Sequence, residues 1–286
     1  MLHSVHDRDE LAALLRKDPA LHAYELGDLD DFFWPYTTWY RHGDATALVY
    51  HGQPTPTLLA FAEPADLDPL LDRLAPLLPH TFYAHLSPGA APTGFTRQEG
   101  GGPHHKMALR ALDPGVQPEG DVLDTADQED LDRLYADAYP GNWFDERMLE
   151  TGQYVGIRRD GRIVAVAGVH VWSPVYRVSA IGNVTVHPDH RGRGLAQRVT
   201  AALCRRLQRT TDVITLNVKA DNAAAIAVYE RLGFATVADY DEATYVAADA
   251  LDYGRRVPAP DLQTRQPTPP GPAEARGATA SGKQTG

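Results

Sequence analysis

"VHPDHRGRGLAQR", Val186–Arg198, sets two arginines and two glycines into four consecutive residues and then takes on the pattern of an amphipathic helix. The chain around it is acidic, with a formal charge of −11 over 286 residues. A positive, glycine-rich turn in such a chain asks for an anion. The segment before it, "NVTV", reads as a strand, so the backbone must turn sharply and start a helix. Glycine at 192 and 194 keeps Cβ atoms out of the way of a ligand approaching the backbone. The first N–H groups of a helix have no partner within it and carry the positive end of its dipole, so they face an anion well. Arg191 and Arg193 add charge. The set suits the diphosphate of a nucleotide-type cofactor; a solvated turn with incidental arginines is the competing reading. Two nucleotide motifs fail on spacing. No G-x-x-x-x-G-K-S/T occurs, and a dinucleotide fingerprint needs glycine or alanine where Gln197 stands.

Composition bounds the rest. A length of 286 residues suggests two domains, and a hydrophobic fraction of 43% is ordinary for a globular protein. The negative balance argues against wholesale binding of nucleic acid or of an anionic membrane. Cys204 is the one cysteine, which excludes an internal disulfide and a cysteine metal site. The N-terminus is charged and lacks the apolar core of a signal peptide. No apolar run approaches the roughly 18 residues a membrane helix needs. These features fit a cytoplasmic protein without a metal.

Working outward from the turn, "VSAIGNVTV" is a strand and "GLAQRVTAALCRRLQRT" a helix with Leu195, Val199, Ala202, Leu203 and Leu207 inward. "VITLNV" is a buried strand. "NAAAIAVYERLGF" is a helix capped by Asn222 and stopped by Gly233. "ATVADY" and "EATYVA" close as two strands. Upstream, "DVLDTA" is a strand, while "DQEDLDRLYADAY" and "FDERMLETG" are helices. "QYVGIRRDGRIVAVAGVHVW" is a hairpin about Asp160-Gly161. In the first half, "DRDELAALLRK" and "DLDPLLDRLAPLL" read as helices, and "ATALVYH", "TLLAFAE", "TFYAHLS" and "HHKMALR" as strands. Mixed strands and helices with a parallel crossover give an α/β sheet. From residue 58 the first half repeats the strand–helix–strand order of the second, without a glycine turn. The prediction is therefore two tandem domains: 1–112, a degenerate copy lacking the anion loop, and 119–253, divided at the Pro- and Gly-containing stretch Arg110–Asp121. Residues 254–286, rich in Pro, Gly and Thr and without aromatics, read as a disordered tail.

"VTVHPDHRGRGLAQRV" resembles the acyl-CoA-binding motif of the GNAT acyltransferase superfamily, R/Q-x-x-G-x-G/A, met here by Arg191, Gly194 and Ala196. "NVKADNAAAIAVYERLGF" is similar to the superfamily's next motif: Asn222, then Tyr229 seven residues on, then Leu-Gly-Phe. The resemblance runs from about Asp121 to Ala247. "GNVTVHPDHRGRGLA" is also similar to the branch with glycine N-acyltransferase-like domains. The resemblance implies two GNAT-like mixed sheets flanked by helices, with acetyl-CoA as cosubstrate in a V-shaped gap between splayed strands. Backbone groups of Val184, Thr185 and Val186 would pair with the pantetheine arm. Arg191 and the amides of Gly192, Arg193, Gly194, Leu195, Ala196 and Gln197 would hold the diphosphate. Asn222 would bond the arm, and Tyr229 would protonate the leaving thiolate.

That chemistry also stands on elementary grounds. An amine attacking a thioester needs a neutral amine, a polarised carbonyl and a proton for sulfur. A backbone N–H such as that of Val186 can polarise the oxygen, and a phenol can act as acid to a thiolate. A core aromatic on an apolar helix face is the competing reading of Tyr229, and a simple N-cap that of Asn222. No carboxylate stands on the strand before the turn. His170, Glu150, Asp145 and His187 are the candidates for the general base. The aromatic, acidic stretch Glu25–Tyr40 is either core or a wall of the acceptor cleft, where it could bind a cationic amine. The expected function is N-acetylation of a small-molecule or peptide amine by a monomer or homodimer. A CoA-sensing or scaffold protein without catalysis is the alternative, and RNA binding through the arginines a third.

Overall fold

The parallel crossover around the arginine–glycine turn is present in the computed structural model, which describes residues 1–142 and 144–248. The tail expected at 254–286 lies outside the described residues. The first half runs β1 (His3–Val5), α1 (Arg8–Leu15), α2 (Ala23–Gly27), β2 (Thr37–His42), β3 (Ala45–Tyr50), β4 (Thr57–Ala60), α3 (Pro64–Leu74), β5 (Thr81–Leu86), β6 (Phe95–Arg97) and β7 (Gly102–Leu109). The second runs β8 (Asp121–Val122), α4 (Gln128–Ala138), β9 (Val155–Arg159), β10 (Arg162–Ser173), β11 (Val178–Val186), α5 (Leu195–Leu207), β12 (Val213–Lys219), α6 (Ala223–Leu232) and β13 (Phe234–Ala247). Local chemistry sets several boundaries. The β9–β10 hairpin turns at Asp160 and Gly161, with φ of 50° and 79°. The side chain of Asn222 accepts from the Ala225 N–H and starts α6, which ends at Gly233.

The described strands form one mixed sheet in the order β1-β2-β3-β4-β5-β13-β7-β12-β11-β10-β9-β8, with β6 beside β13. Each half has a parallel pair bridged by a helix, β4 with β5 across α3 and β11 with β12 across α5. The closing strands are exchanged. β7, from the first half, pairs with β12, and β13, from the second, pairs with β5. β13 and β7 pair with each other at the junction.

This exchange explains a difference from the sequence reading. "ATVADY" and "EATYVA" are one strand, Phe234–Ala247, with a register shift between Thr236 and Ala238. β7 and β5 satisfy its two edges, so the acidic residues at its middle interrupt nothing. "FDERMLETG" forms a 3-10 helix, Glu146–Thr151, rather than an α-helix. β1, α2, β2 and β6 had no counterpart in the reading. The stretch Arg110–Gly120 carries no helix or strand. It is held to α5 through Glu119, which accepts from Arg198 Nη1 at 2.7 Å.

Helices pack on both faces. On one, Val199, Leu203 and Leu207 of α5 and Tyr229 and Leu232 of α6 form a core with Ile181, Ile214 and Leu216. Ala202, expected inward, is half-buried at its margin. On the other, Leu26 of α2 and Leu11 of α1 pack with Ala180, Val171 and Tyr240. Cys204 is buried, and burial pushes its thiol up to about 12.

Candidate active site

The parallel ladder between β11 and β12 stops early. It pairs Val178 to Ile181 with Val213 to Leu216, yet β11 runs on to Val186 and β12 to Lys219. The strands part after Ile181 and Leu216. A bulge on β11 goes with the split: the register against β10 shifts between Gly182 and Thr185, and Asn183 takes a φ of 53°. Asn183 Nδ2 donates to the Tyr154 hydroxyl at 3.2 Å, and its carbonyl accepts from the Tyr135 hydroxyl at 3.2 Å. Buried bonds thus hold an unusual backbone conformation in place. Past the bulge, the His187 N–H donates to the Val164 carbonyl at 2.9 Å. Strand alternation then turns the Val186 N–H away from β10 and toward the split.

The turn that follows presents backbone. Gly192 and Gly194 adopt left-handed φ of 73° and 72°. A Cβ at Gly192 would meet nothing within 4 Å, and one at Gly194 only Arg198 Nε at 3.9 Å. Conformation, not crowding within the protein, demands glycine here, and the space outside is open to a ligand. Gly194 caps α5 with no side-chain hydrogen bond. The arginines brace this frame. Arg191 Nε donates to the Val186 carbonyl at 3.2 Å and its Nη2 to the Ala138 carbonyl at 3.3 Å. Arg193 Nη2 donates to the Asp189 carbonyl at 3.1 Å. Val184, Val186, Leu195 and Tyr229 gather at one apolar cluster on the α5 face. Tyr229 is 9% exposed, and burial, with Tyr139 and Cys204 adding to it, raises its pKa.

The split also opens toward the α2 face, where a cavity of about 160 Å³ lies. Asn217, the residue after the last paired position of β12, lines it, as does His170 of β10. The His170 ring lies directly on Gly182: a Cβ there would stand 1.9 Å from its Cδ2. Burial drops the His170 pKa to about 4, so the ring is neutral near pH 7. Glu242 of β13 also lines the cavity. Its carboxylate accepts from the Tyr83 and Tyr240 hydroxyls and lies 3.5 Å from His85 Nε2 and 3.4 Å from His104 Nε2. Burial pushes its pKa up, but the two imidazoles and two phenols outweigh that and hold it below the usual carboxylate value. Lys106 of β7 is fully buried beside this group. Its Nζ donates to the Leu21 carbonyl at 2.7 Å and lies 4.4 Å from the Phe61 ring centre.

Of the four candidate bases, His170 alone lines this cavity. Glu150 is exposed on the 3-10 helix. Asp145 is bound to Arg147 at 2.6 Å, and His187 lies at the turn, 3.8 Å from Asp137. Glu242, His85 and Asn217 are additions of the structure. One signal existed for Glu242: it shares the inward face of its strand with Tyr240, two residues before it. The stretch Glu25–Tyr40 divides between the core and the cavity wall. Leu29 and Trp39 are core, while Asp28 and Phe33 line the cavity. Among the described residues no His, Cys, Asp and Glu group is placed to hold a metal, and no helix is long and apolar enough to cross a membrane.

Residues 122–234 match the model of the acetyltransferase (GNAT) family. The chain is similar to a mycothiol acetyltransferase of Saccharomonospora viridis, 33% identical over 150 residues that cover 46% of this chain and 46% of that protein. It is 31% identical to that of Tsukamurella paurometabola over 211 residues, 69% of this chain and 63% of that one. The matches thus span about half the length of the first relative and under two thirds of the second. The fold is similar to that of a tandem GNAT protein from the clavulanic acid biosynthesis pathway, with a TM-score of 0.50 and 16% identity over 86% of this chain and 99% of that one.

Proposed function

With residues 122–234 a GNAT-family acetyltransferase domain, we propose that the protein transfers an acetyl group from acetyl-CoA to a primary amine by direct attack in a ternary complex. One observation carries this reading. The β11–β12 split has a backbone-rich turn with an uncapped helix N-terminus on one side and a cavity lined by an ionised carboxylate on the other.

Acetyl-CoA supplies the activated thioester. On the α5 face, the amides from Gly192 to Gln197 take the diphosphate at the positive end of α5. Arg191 works mainly by bracing the turn, since both of its described hydrogen bonds go to carbonyls. The edges of Val184, Thr185 and Val186 released from β12 pair with the pantetheine arm. Asn222 uses its oxygen for the cap, and its amide nitrogen serves the same arm. The Val186 N–H, turned to the split, donates to the thioester carbonyl oxygen as negative charge gathers there. On the α2 face, Glu242 takes one proton from the incoming ammonium, with neutral His170 beside the split as a second acceptor. The nitrogen pair forms the C–N bond, the C–S bond breaks, and Tyr229 gives its proton to sulfur. Burial keeps that phenol protonated but also weakens it as an acid, which limits the size of its contribution.

The first half is the degenerate partner in this reading. Its equivalent turn, after β4, carries Glu63 at the cap of α3 and Asp66 in the first turn, which repel a diphosphate. β4 also stays paired with β5 along its whole length, Thr57 to Ala60, so no gap opens. The test is a panel of amines, acceptors related to mycothiol among them, incubated with acetyl-CoA while free thiol is followed. Acetylation of at least one amine at a rate above solvent hydrolysis is expected. Tight CoA binding with no acetylated amine would favour a sensor instead.

A further inference from the structure

We propose that the cavity under the split takes an acceptor with two amino groups: one presented to the thioester, the other bound as a cation by Asp28. The placing of the first amine rests on the acetyl-transfer reading; the binding of the second does not.

Asp28 follows α2, lines the cavity and is only 5% exposed. Its backbone N–H goes to the Tyr24 carbonyl at 2.9 Å. Its carboxyl has no described side-chain hydrogen bond or ion pair, which sets it apart from the other acids nearby. Glu25 has His22 at 3.0 Å, Asp145 has Arg147 at 2.6 Å, and Glu242 has two imidazoles and two phenols. The nearby buried cation, Lys106, is directed to a carbonyl and to aromatic rings. A buried carboxyl without a partner is costly, and a cation seated in the cavity would offset that cost. Burial first, and then Glu25, raise the Asp28 pKa well above the usual range, favouring the neutral acid; an ammonium seated beside it would favour the ionised form.

The rest of the wall fits a cation. Tyr24, Phe33 and Tyr50 line the same cavity, and aromatic rings near a bound ammonium add cation–π attraction. A second orphaned acceptor stands elsewhere on it: Asn217 Oδ1 is buried without a hydrogen-bond partner, at the position where β12 leaves β11. An amine at the split donates there, while the second ammonium reaches Asp28. Asp28 and Asn217 Oδ1 offer two nitrogens of one small molecule an acceptor each, and His85 Nδ1, also buried without a partner on this wall, is a third polar atom there.

The test is isothermal titration of the full-length chain with short α,ω-diamines, compared with alkyl monoamines and amino alcohols of equal length. At least one diamine is expected to bind about tenfold or more tightly than its matched monoamine and amino alcohol, the scale of a desolvated charge pair. Asp28→Asn, which keeps the shape, is expected to abolish that preference while acetyl-CoA affinity stays as in the wild type. No preference in the wild type, an amino alcohol that equals the diamine, or a preference that survives in Asp28→Asn overturns the proposal. A diamine preference without any acetyl-CoA binding would sink the acetyl-transfer reading and leave the cation site standing. Acetyl-CoA binding without the preference does the reverse.

Discussion

Replacing His170 with glutamine is expected to flatten the acid side of the stability curve by about 2 kcal/mol. Burial holds the ring's pKa at about 4 against an ordinary 6.5; Glu242 raises it less, and His85 lowers it slightly. The folded chain therefore refuses a proton that the unfolded chain accepts between those two values. The unfolded state binds more protons across that window, so stability falls as pH drops from 6.5 toward 4. Linkage over that shift gives almost nothing at about pH 7.5, about 2 kcal/mol lost at about pH 5, and roughly 3 kcal/mol once both states are protonated. The assay is urea unfolding of both proteins at the two pH values. His85 is also pushed down by burial and adds its own slope. It adds that slope to both proteins, so the difference between them isolates His170. Parallel pH dependences would refute the reasoning, as would an NMR titration of the ring with its midpoint near 6.5. The functional corollary is a neutral imidazole beside the split at working pH.

Tyr229→Phe is expected to lower the rate of the chemical step by about 10²-fold, the low end for general acid catalysis because burial weakens the phenol. Acetyl-CoA affinity should change little, and single-turnover kinetics with an amine found in the panel checks both. Gly194→Val is expected to cost about 1–2 kcal/mol for a branched residue at left-handed φ, and to weaken acetyl-CoA binding beyond that loss. Calorimetric affinity equal to wild type in the folded variant would remove the diphosphate from this turn. A fragment of residues 118–248 is expected to fold poorly, since it lacks β7, which lies between β12 and β13; circular dichroism and denaturant melts against the full chain test this.

The second half was legible in the sequence because its signals are local. Asp160-Gly161 dictates a hairpin, Asn222 and Gly233 bound a helix, and the Gly192–Gly194 pair marks a turn with left-handed residues. The split itself was legible only through resemblance. Nothing in "VSAIGNVTV" announces that pairing to β12 ends at Ile181, because that depends on a bulge held by Tyr135 and Tyr154, distant in sequence. The roles of Arg191 and Arg193 were read as charge alone. Their carbonyl partners emerge only when the turn is folded. The sequence offers no carboxylate on the strand before the turn, and the one that lines the cavity beside His85, Glu242, comes from β13. Its cross-strand neighbour is His85, and Tyr240 on the same strand stands opposite His104.

Those pairings give the first half a physical role. It has no anion turn and no split, yet β5 supplies His85 and Tyr83, and β7 supplies His104 and Lys106. Glu242 meets all four groups or their fields because β13 lies between β5 and β7. Had each half kept its own closing strand, β13 would stand beside β12, and its carboxylate would lose its cross-strand neighbour His85 and the hydroxyl of Tyr83, two residues along β5. A buried carboxylate stripped of those partners would take up a proton and no longer accept one from an ammonium. Strand exchange therefore does more than join the two halves. It surrounds Glu242 with the phenols and imidazoles that favour its ionised form, and it makes that ionisation depend on both halves being folded together.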